Sequence, residues 1–131
     1  MNIIHLIEFS ESKIISFDFD DTLCSDGEKN EIMISKLINH HTDGDKCIIV
    51  TARDPEHEKD EWIQKNEPKR TKVIDFVKKH NLPIAQIIFT NHKPKGSILK
   101  SHNVYMHFDD KDEEIDSANN NGIKTIKVEK K

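Results

Sequence analysis

Short, nearly uninterrupted apolar runs recur along the chain, separated by amphipathic stretches. Ile14, Ile15, Phe17 and Phe19 make the first, Cys47-Ile48-Ile49-Val50 the second, Gln86-Ile87-Ile88-Phe89-Thr90 the third and Val104-Tyr105-Met106-His107-Phe108 the fourth. Runs of this length without strict alternation read as strands buried on both faces. The stretches between them have helical spacing. One helix is predicted from Asn30, a plausible cap, to about His41, with apolar positions at 34, 37 and 38. A second runs from Thr71 to about His80 with Val73, Ile74 and Val77 on one face, stopped by Asn81-Leu82-Pro83. A short third spans about Lys95 to Ser101. The last starts at Asp112, carries Glu113 and Glu114 where the macrodipole favours them, buries Ile115 and Ala118, and ends before Gly122. Thr125-Ile126-Lys127-Val128 alternates as an edge strand should, and the lysine-rich end after it is expected to fray. Strand and helix in alternation predict an α/β fold, a Rossmann-like three-layer sandwich around a mostly parallel five-stranded sheet. Ile3 to Phe9 reads as a short strand or an extended arm, and would make a sixth strand if it pairs.

The breaks between elements are polar. Ser25-Asp26-Gly27-Glu28 is a glycine-containing bend and Asp43-Gly44-Asp45 ends the first helix. From Asp54 to Arg70 the chain is almost wholly charged or polar, with Trp62 and Ile63 its sizeable apolar residues. This stretch is expected to be a surface excursion near the strand ends with a helical turn or two. A length of 131 residues suits one domain, residues 1–131, and leaves no second one to seek. Apolar content of 34% is low, but its gathering into runs predicts folding and not disorder. With 20 basic against 24 acidic residues, no global charge pulls the chain toward nucleic acid or an anionic membrane, so such a partner would need a local patch. Nothing resembles a signal peptide or a membrane-length apolar segment, which predicts a cytoplasmic protein with Cys24 and Cys47 as free thiols. Cys24 lies near acids, yet no base is marked for it, and it reads as a small filler.

The chemistry is concentrated where the apolar runs stop. Alternation sends Asp18 and Asp20 the same way, so two like charges crowd one spot at the carboxyl end of a strand. Turn formation accounts for Asp20 and Asp21 but not for Asp18, which lies inside the strand. A cation between the acids resolves the conflict. Asp18, Asp20, Thr51, Arg53, Lys95, Asp109 and Asp110 all follow strands or open the next helix, and in a parallel sheet they should converge at one edge. Carboxylates without histidine or cysteine at ligand spacing describe a hard-cation site of the magnesium kind. A threonine hydroxyl, backbone amides and a lysine would supply what an anionic transition state requires, so the chemistry suggested is phosphoryl transfer.

Phe17-Asp18-Phe19-Asp20-Asp21-Thr22-Leu23, Val50-Thr51-Ala52-Arg53, Lys95-Gly96 and Phe108-Asp109-Asp110 resemble, in order, the four motifs of the haloacid dehalogenase superfamily of phosphatases. The resemblance spans residues 14 to 128. It implies Asp18 as the nucleophile that becomes an aspartyl phosphate, and Asp20 as the acid for the leaving oxygen and then the base for water. It implies Asp18, residue Asp20 through its carbonyl, and Asp109 or Asp110 as magnesium ligands. Thr51 would bind the transferring group, Lys95 would neutralise it and orient Asp18, and Thr22 would brace the loop. Lys93 competes for the lysine role, with Lys95 preferred because it opens the helix. Asp21 stands where many relatives have glycine and reads as a turn former. Arg53 either reaches substrate, as in members resembling the phosphatase half of polynucleotide kinase-phosphatase, or pairs with the acidic run after it.

The linker from Leu23 to Lys29 is too short for a cap domain and the excursion is thin for one, so the site should admit large substrates as well as small. The expected partner is a phosphorylated small molecule or macromolecule with an accessible phosphate, and no membrane. Phe108-Asp109-Asp110-Lys111 resembles the matching segment of polynucleotide 3'-phosphatases. Lys65, Lys69, Arg70, Lys72, Lys93 and Lys95 could follow a phosphate backbone, but such residues are more often a solvated face, so nucleic acid is admitted and not favoured. Trp62 either stacks on a base or anchors its loop, the latter being commoner. A receiver domain fits poorly, because its acceptor aspartate should follow the third strand, which here ends in Thr90-Asn91. The alternative that remains is a catalytically idle domain binding a phosphorylated ligand or protein.

Overall fold

A computed structural model of the chain describes residues 12–129. The elements are β1 (Ile14–Phe17), β2 (Cys24–Ser25), β3 (Glu28–Lys29), α1 (Glu31–Thr42), β4 (Lys46–Thr51), a 3-10 turn (Pro55–Glu58), α2 (Asp60–Asn66), α3 (Val73–Lys79), β5 (Gln86–Phe89), α4 (Gly96–Ser101), β6 (Met106–Asp109), α5 (Asp112–Asn120) and β7 (Lys124–Lys127). Five parallel strands form one sheet in the order β5-β4-β1-β6-β7. The first strand is therefore central. Phe17 is in register with Ile49 on one side and with Phe108 on the other, so the residues that follow these strands meet at one edge. The sixth strand read into Ile3 to Phe9, and the last two lysines, lie outside the described residues.

Alternation along the buried strands feeds two apolar layers. On β4, Cys47 and Ile49 join a cluster with Ile15, Phe17, Met33, Leu37, Phe76 and Phe108, whereas Ile48 and Val50 join Leu99, Val104, Ala118 and Ile123. Thus α1 and α3 cover one face, and α4 and α5 the other. The Phe17 and Phe108 rings stack at 4.9 Å across neighbouring strands on the first face.

Local signals set most boundaries. Asn30 caps α1, its side chain accepting from the Met33 N–H at 3.3 Å. Two expected core positions are displaced. Ile38 is 44% exposed and Ile74 40% exposed, while Met33 and Phe76 are buried instead. A helical repeat places Val73, Phe76 and Val77 on one face, and Ile74 falls about 100° from Val73 around the helix, on its flank. Ile115 is only partly buried, whereas Ala118 is fully so. Thr71 does not cap α3. The Val73 N–H instead donates to the Glu58 carboxylate at 2.8 Å, a partner supplied by the excursion. The bend at Ser25 to Glu28 is a hairpin joining β2 and β3, with Asp26 at φ 51° and Gly27 at φ 81°, the two left-handed residues of a type I′ turn.

The excursion folds as the 3-10 turn and α2. Trp62 stacks on His57 at 3.9 Å with the Arg70 guanidinium 5.7 Å from its ring, so it anchors this segment to itself. Gly96 lets α4 approach α5: its N–H donates to Ser117 Oγ at 3.0 Å, and a Cβ there would press into the Ser117 carbonyl and the Asn121 amide. Gly96→Ala is therefore expected to cost about 1–3 kcal/mol, because backbone must move to relieve the clash. Thermal unfolding of the variant checks this, and an unchanged melting temperature would show that the contact yields freely.

Candidate active site

Asp18 leaves the central strand with its backbone still in the sheet, its N–H donating to the Phe108 carbonyl at 2.9 Å. Its buried side chain accepts from Lys95 Nζ at 2.9 Å on Oδ1 and from Thr22 Oγ1 at 3.3 Å on Oδ2. Lys95 also donates to Asp109 Oδ2 at 2.7 Å. The lysine reaches this point because Asn91 and His92 take left-handed φ of 53° and 64°, turning the chain sharply after β5, and because its own N–H is held by Glu114 at 3.1 Å. Lys93 is exposed, and Lys95 is the lysine brought to the acids.

Asp18, Asp109 and Asp110 each present an oxygen within 4.8 Å of the others. Burial pushes the pKa of Asp18 well above the usual carboxylate range, Lys95 pulling it down and the charge of Asp109 adding to the rise. Burial likewise raises Asp110. For Asp109 burial works in the same direction, but the bond from His107 and the charge of Lys95 outweigh it and hold this carboxyl well below its usual range. Lys95 keeps its proton: burial opposes its charge, yet Asp18 and Asp109 together raise its pKa. Three carboxylates against one ammonium leave an excess of two negative charges when all are ionised, and Asp110 Oδ1 is buried without a hydrogen-bond partner. All-oxygen donors, that excess and an uncommitted oxygen fit a hard divalent cation such as magnesium.

Asp20 sits apart from this cluster. Its side chain is 54% exposed, and both its oxygens are held by Arg53, Nε and Nη2 each at 2.8 Å. Arg53 also pairs with Glu58 at 3.0 Å, donates to the Thr71 carbonyl at 2.7 Å and lies 4.8 Å from the Phe19 ring. Burial disfavours its charge, but Asp20 and Glu58 raise its pKa further than burial lowers it. Arg53 thus joins Asp20 to the acidic run at once. Thr51 is buried at the end of β4, its Oγ1 accepting from the Arg53 N–H at 3.4 Å. A groove of about 760 Å³ opens beside Asp20, lined among others by Cys24, Arg53, Lys69 and Arg70. Cys24 is buried and burial raises its thiol pKa, as befits a filler.

Asp21 has φ of 61°, a left-handed conformation that glycine takes without strain and aspartate more readily than most residues. Asp21→Gly is expected to leave the melting temperature within a few degrees of the parent, since the lost Ser25 bond at 3.1 Å is offset by relief of φ strain. Asp21→Val, which cannot take this φ at low cost, should melt markedly lower. Equal stability of the two variants would overturn the conformational account.

The arrangement includes residues the sequence did not single out. Glu58 braces Arg53, Arg70 and the start of α3. Beneath the acids, Ser16 Oγ lies 2.6 Å from His107 Nδ1, and His107 Nε2 lies 2.8 Å from Asp109 Oδ2, all of them buried. The signal for this pair was a polar residue within each of two apolar runs.

This geometry sits on a fold with known counterparts. Two chains of the Pnkp1/Rnl/Hen1 complex, the second of them from a structure of the Pnkp1/Rnl/Hen1 RNA repair complex, match with a TM-score of 0.63 and 17% identity. The matches cover 91% and 89% of this chain but 46% and 42% of those chains, so it spans less than half their length. The likeness is one of fold. No protein-family model and no curated protein matches the sequence. Among the described residues no helix is long and apolar enough to cross a membrane.

Proposed function

We propose that the protein is a magnesium-dependent phosphomonoester hydrolase of the haloacid dehalogenase type, working through an aspartyl phosphate on Asp18. The observation that carries this reading is the contact of one buried lysine with both Asp18 and Asp109, beside Asp110, at the carboxyl ends of the central strands. A nucleophilic carboxylate beside a fixed ammonium and a cation site is what in-line attack on phosphorus needs. Asp18, Asp109 and Asp110 would hold magnesium, which when bound supplies positive charge to the phosphoryl oxygens. An Asp18 oxygen attacks phosphorus, and the ester oxygen departs with a proton from Asp20. Asp20 then takes a proton from water as that water attacks phosphorus, releasing inorganic phosphate and restoring Asp18. Because Arg53 occupies both Asp20 oxygens, one of those bonds opens before Asp20 reaches the leaving group. Thr51 and Lys95 would bind the transferring group.

Polynucleotide 3'-phosphate ends are the substrate class that a second observation favours. The structural neighbours belong to an RNA repair complex, and the groove beside Asp20 is open, with Lys69 on its wall among the acids Asp21, Asp26 and Glu67. Competent side chains at every motif position argue for turnover over an idle phosphate-binding domain.

The test is phosphate release from an aryl phosphate, from nucleoside monophosphates and from oligoribonucleotides phosphorylated at the 3' or the 5' end, with magnesium and with chelator. Magnesium-dependent release is expected, abolished by chelation, with the 3'-phosphorylated oligonucleotide preferred. Metal-independent turnover, or none at all from folded protein with magnesium, would sink the mechanism. A flat substrate panel would remove only the polynucleotide reading.

A further inference from the structure

Strand geometry puts a polar strip where an apolar one would serve. Ser16 on β1 is in register with His107 on β6, and both lie on the face opposite the stacked Phe17 and Phe108 rings. That face is otherwise an apolar layer under α4 and α5, with Leu99, Val104 and Ala118 in it. A buried imidazole there is costly unless both ring nitrogens are satisfied, and both are. The alternation that brings His107 to this face brings Asp109 to it as well, two residues on, so the imidazole can reach the carboxylate.

The bonds around Asp109 are unevenly shared. Oδ2 takes both Lys95 Nζ at 2.7 Å and His107 Nε2 at 2.8 Å, whereas Oδ1 takes only the Lys111 N–H at 3.1 Å. Two donors fill Oδ2, and Oδ1 keeps a lone pair facing no described donor. Since Asp109 can only accept, His107 donates through Nε2, and its Nδ1 then accepts from the Ser16 hydroxyl.

We propose that His107, held in its orientation by Ser16, is a positioning residue that fixes the Asp109 carboxylate so that Oδ1 is presented to the cation. This role rests on the hydrolase reading above and concerns a residue outside the four motifs. An outer partner of this kind governs how tightly the metal is held, because the ligand is oriented before the ion arrives. A histidine that only filled the core would have no such effect.

The experiment is magnesium binding by calorimetry to the parent and to His107→Leu, His107→Gln, Ser16→Ala and Val104→Ala, with the magnesium dependence of the rate measured in parallel. His107→Leu is expected to weaken magnesium by about 10–100-fold. His107→Gln, which keeps an N–H donor, should recover most of that, and Ser16→Ala should show a smaller loss in the same direction. Val104→Ala, a cavity in the same layer, should lower the melting temperature without changing magnesium affinity. Parental affinity in His107→Leu, or an equal loss in Val104→Ala, would overturn the positioning role while leaving the hydrolase reading intact. If His107→Leu does not fold, parental affinity in Ser16→Ala overturns it, since that variant removes the bond that orients the imidazole. A folded parent that binds no magnesium would overturn the hydrolase reading and this role together.

Discussion

Asp18→Asn is expected to lower the rate of magnesium-dependent phosphate release by at least about 10³-fold, as loss of a nucleophile does, while the metal-free variant melts no lower than the parent. The two halves have one cause. Burial raises the Asp18 pKa because the folded protein resists its charge, so Asp18 supports folding best when protonated. The support is complete below the ordinary value of 3.8 and declines as pH rises toward the elevated folded value. At neutral pH an asparagine carries no charge to desolvate; its one oxygen can still accept from Lys95, with its amide N–H donating to the Thr22 hydroxyl in place of the present bond. The parent's metal-free stability should therefore fall with rising pH over a range where the variant's falls less. Rates with an aryl phosphate and melting curves across pH in chelator check both halves. Retained activity in Asp18→Asn would remove the aspartyl-phosphate route. A variant clearly less stable than the parent at neutral pH would mean that Lys95 rewards the Asp18 charge more than burial penalises it.

Asp18 was legible because an acid directly continuing an apolar strand has no packing reason to be there, although the strand itself ends one residue earlier, at Phe17. Lys95 and Asp109 followed from the rule that polar residues after parallel strands share an edge, and the central place of β1 realises that rule. What escaped is of two kinds. His107 was absorbed into an apolar run, since one polar residue among Met106 and Phe108 does not disturb a strand pattern. Only the register with Ser16 turns it into a bonded pair. Of the Asp20-Arg53-Glu58-Arg70 network only the pairing of Arg53 with the acidic run after it was legible, as one of two alternatives, and the rest escaped for the opposite reason. Where nearly every residue is charged, each acid has several candidate bases, and tertiary packing chooses among them. The exchange of Ile74 for Phe76 in the core is a smaller case, in which two apolar residues compete for one face and the helical period decides.

Lys95→Met is expected to affect fold and chemistry separately, and magnesium tells the two apart. The ammonium is buried between Asp18 and Asp109, and removing one partner of such a buried arrangement costs about 3–5 kcal/mol. Asp109 retains its bond from His107, whereas among the described residues Asp18 keeps the longer one from Thr22, so most of the penalty falls on Asp18. A divalent cation bound by the same carboxylates would replace the lost positive charge, and binding to the folded state alone stabilises it by mass action. Magnesium should accordingly raise the melting temperature of Lys95→Met by more than it raises that of the parent. It should not restore the rate, which is expected to stay at least about 10²-fold down, because the donor proposed to bind the transferring group is gone. Lys95→Arg should behave like the methionine variant in rate, since a planar fork does not fit a slot shaped for a compact ammonium. Melting curves with and without magnesium, with rates at saturating magnesium, provide the measurement. Should Lys95→Met match the parent in metal-free stability, the buried acids do not need its charge. Should magnesium return its rate to within tenfold, Lys95 braces the site without taking part in phosphoryl transfer.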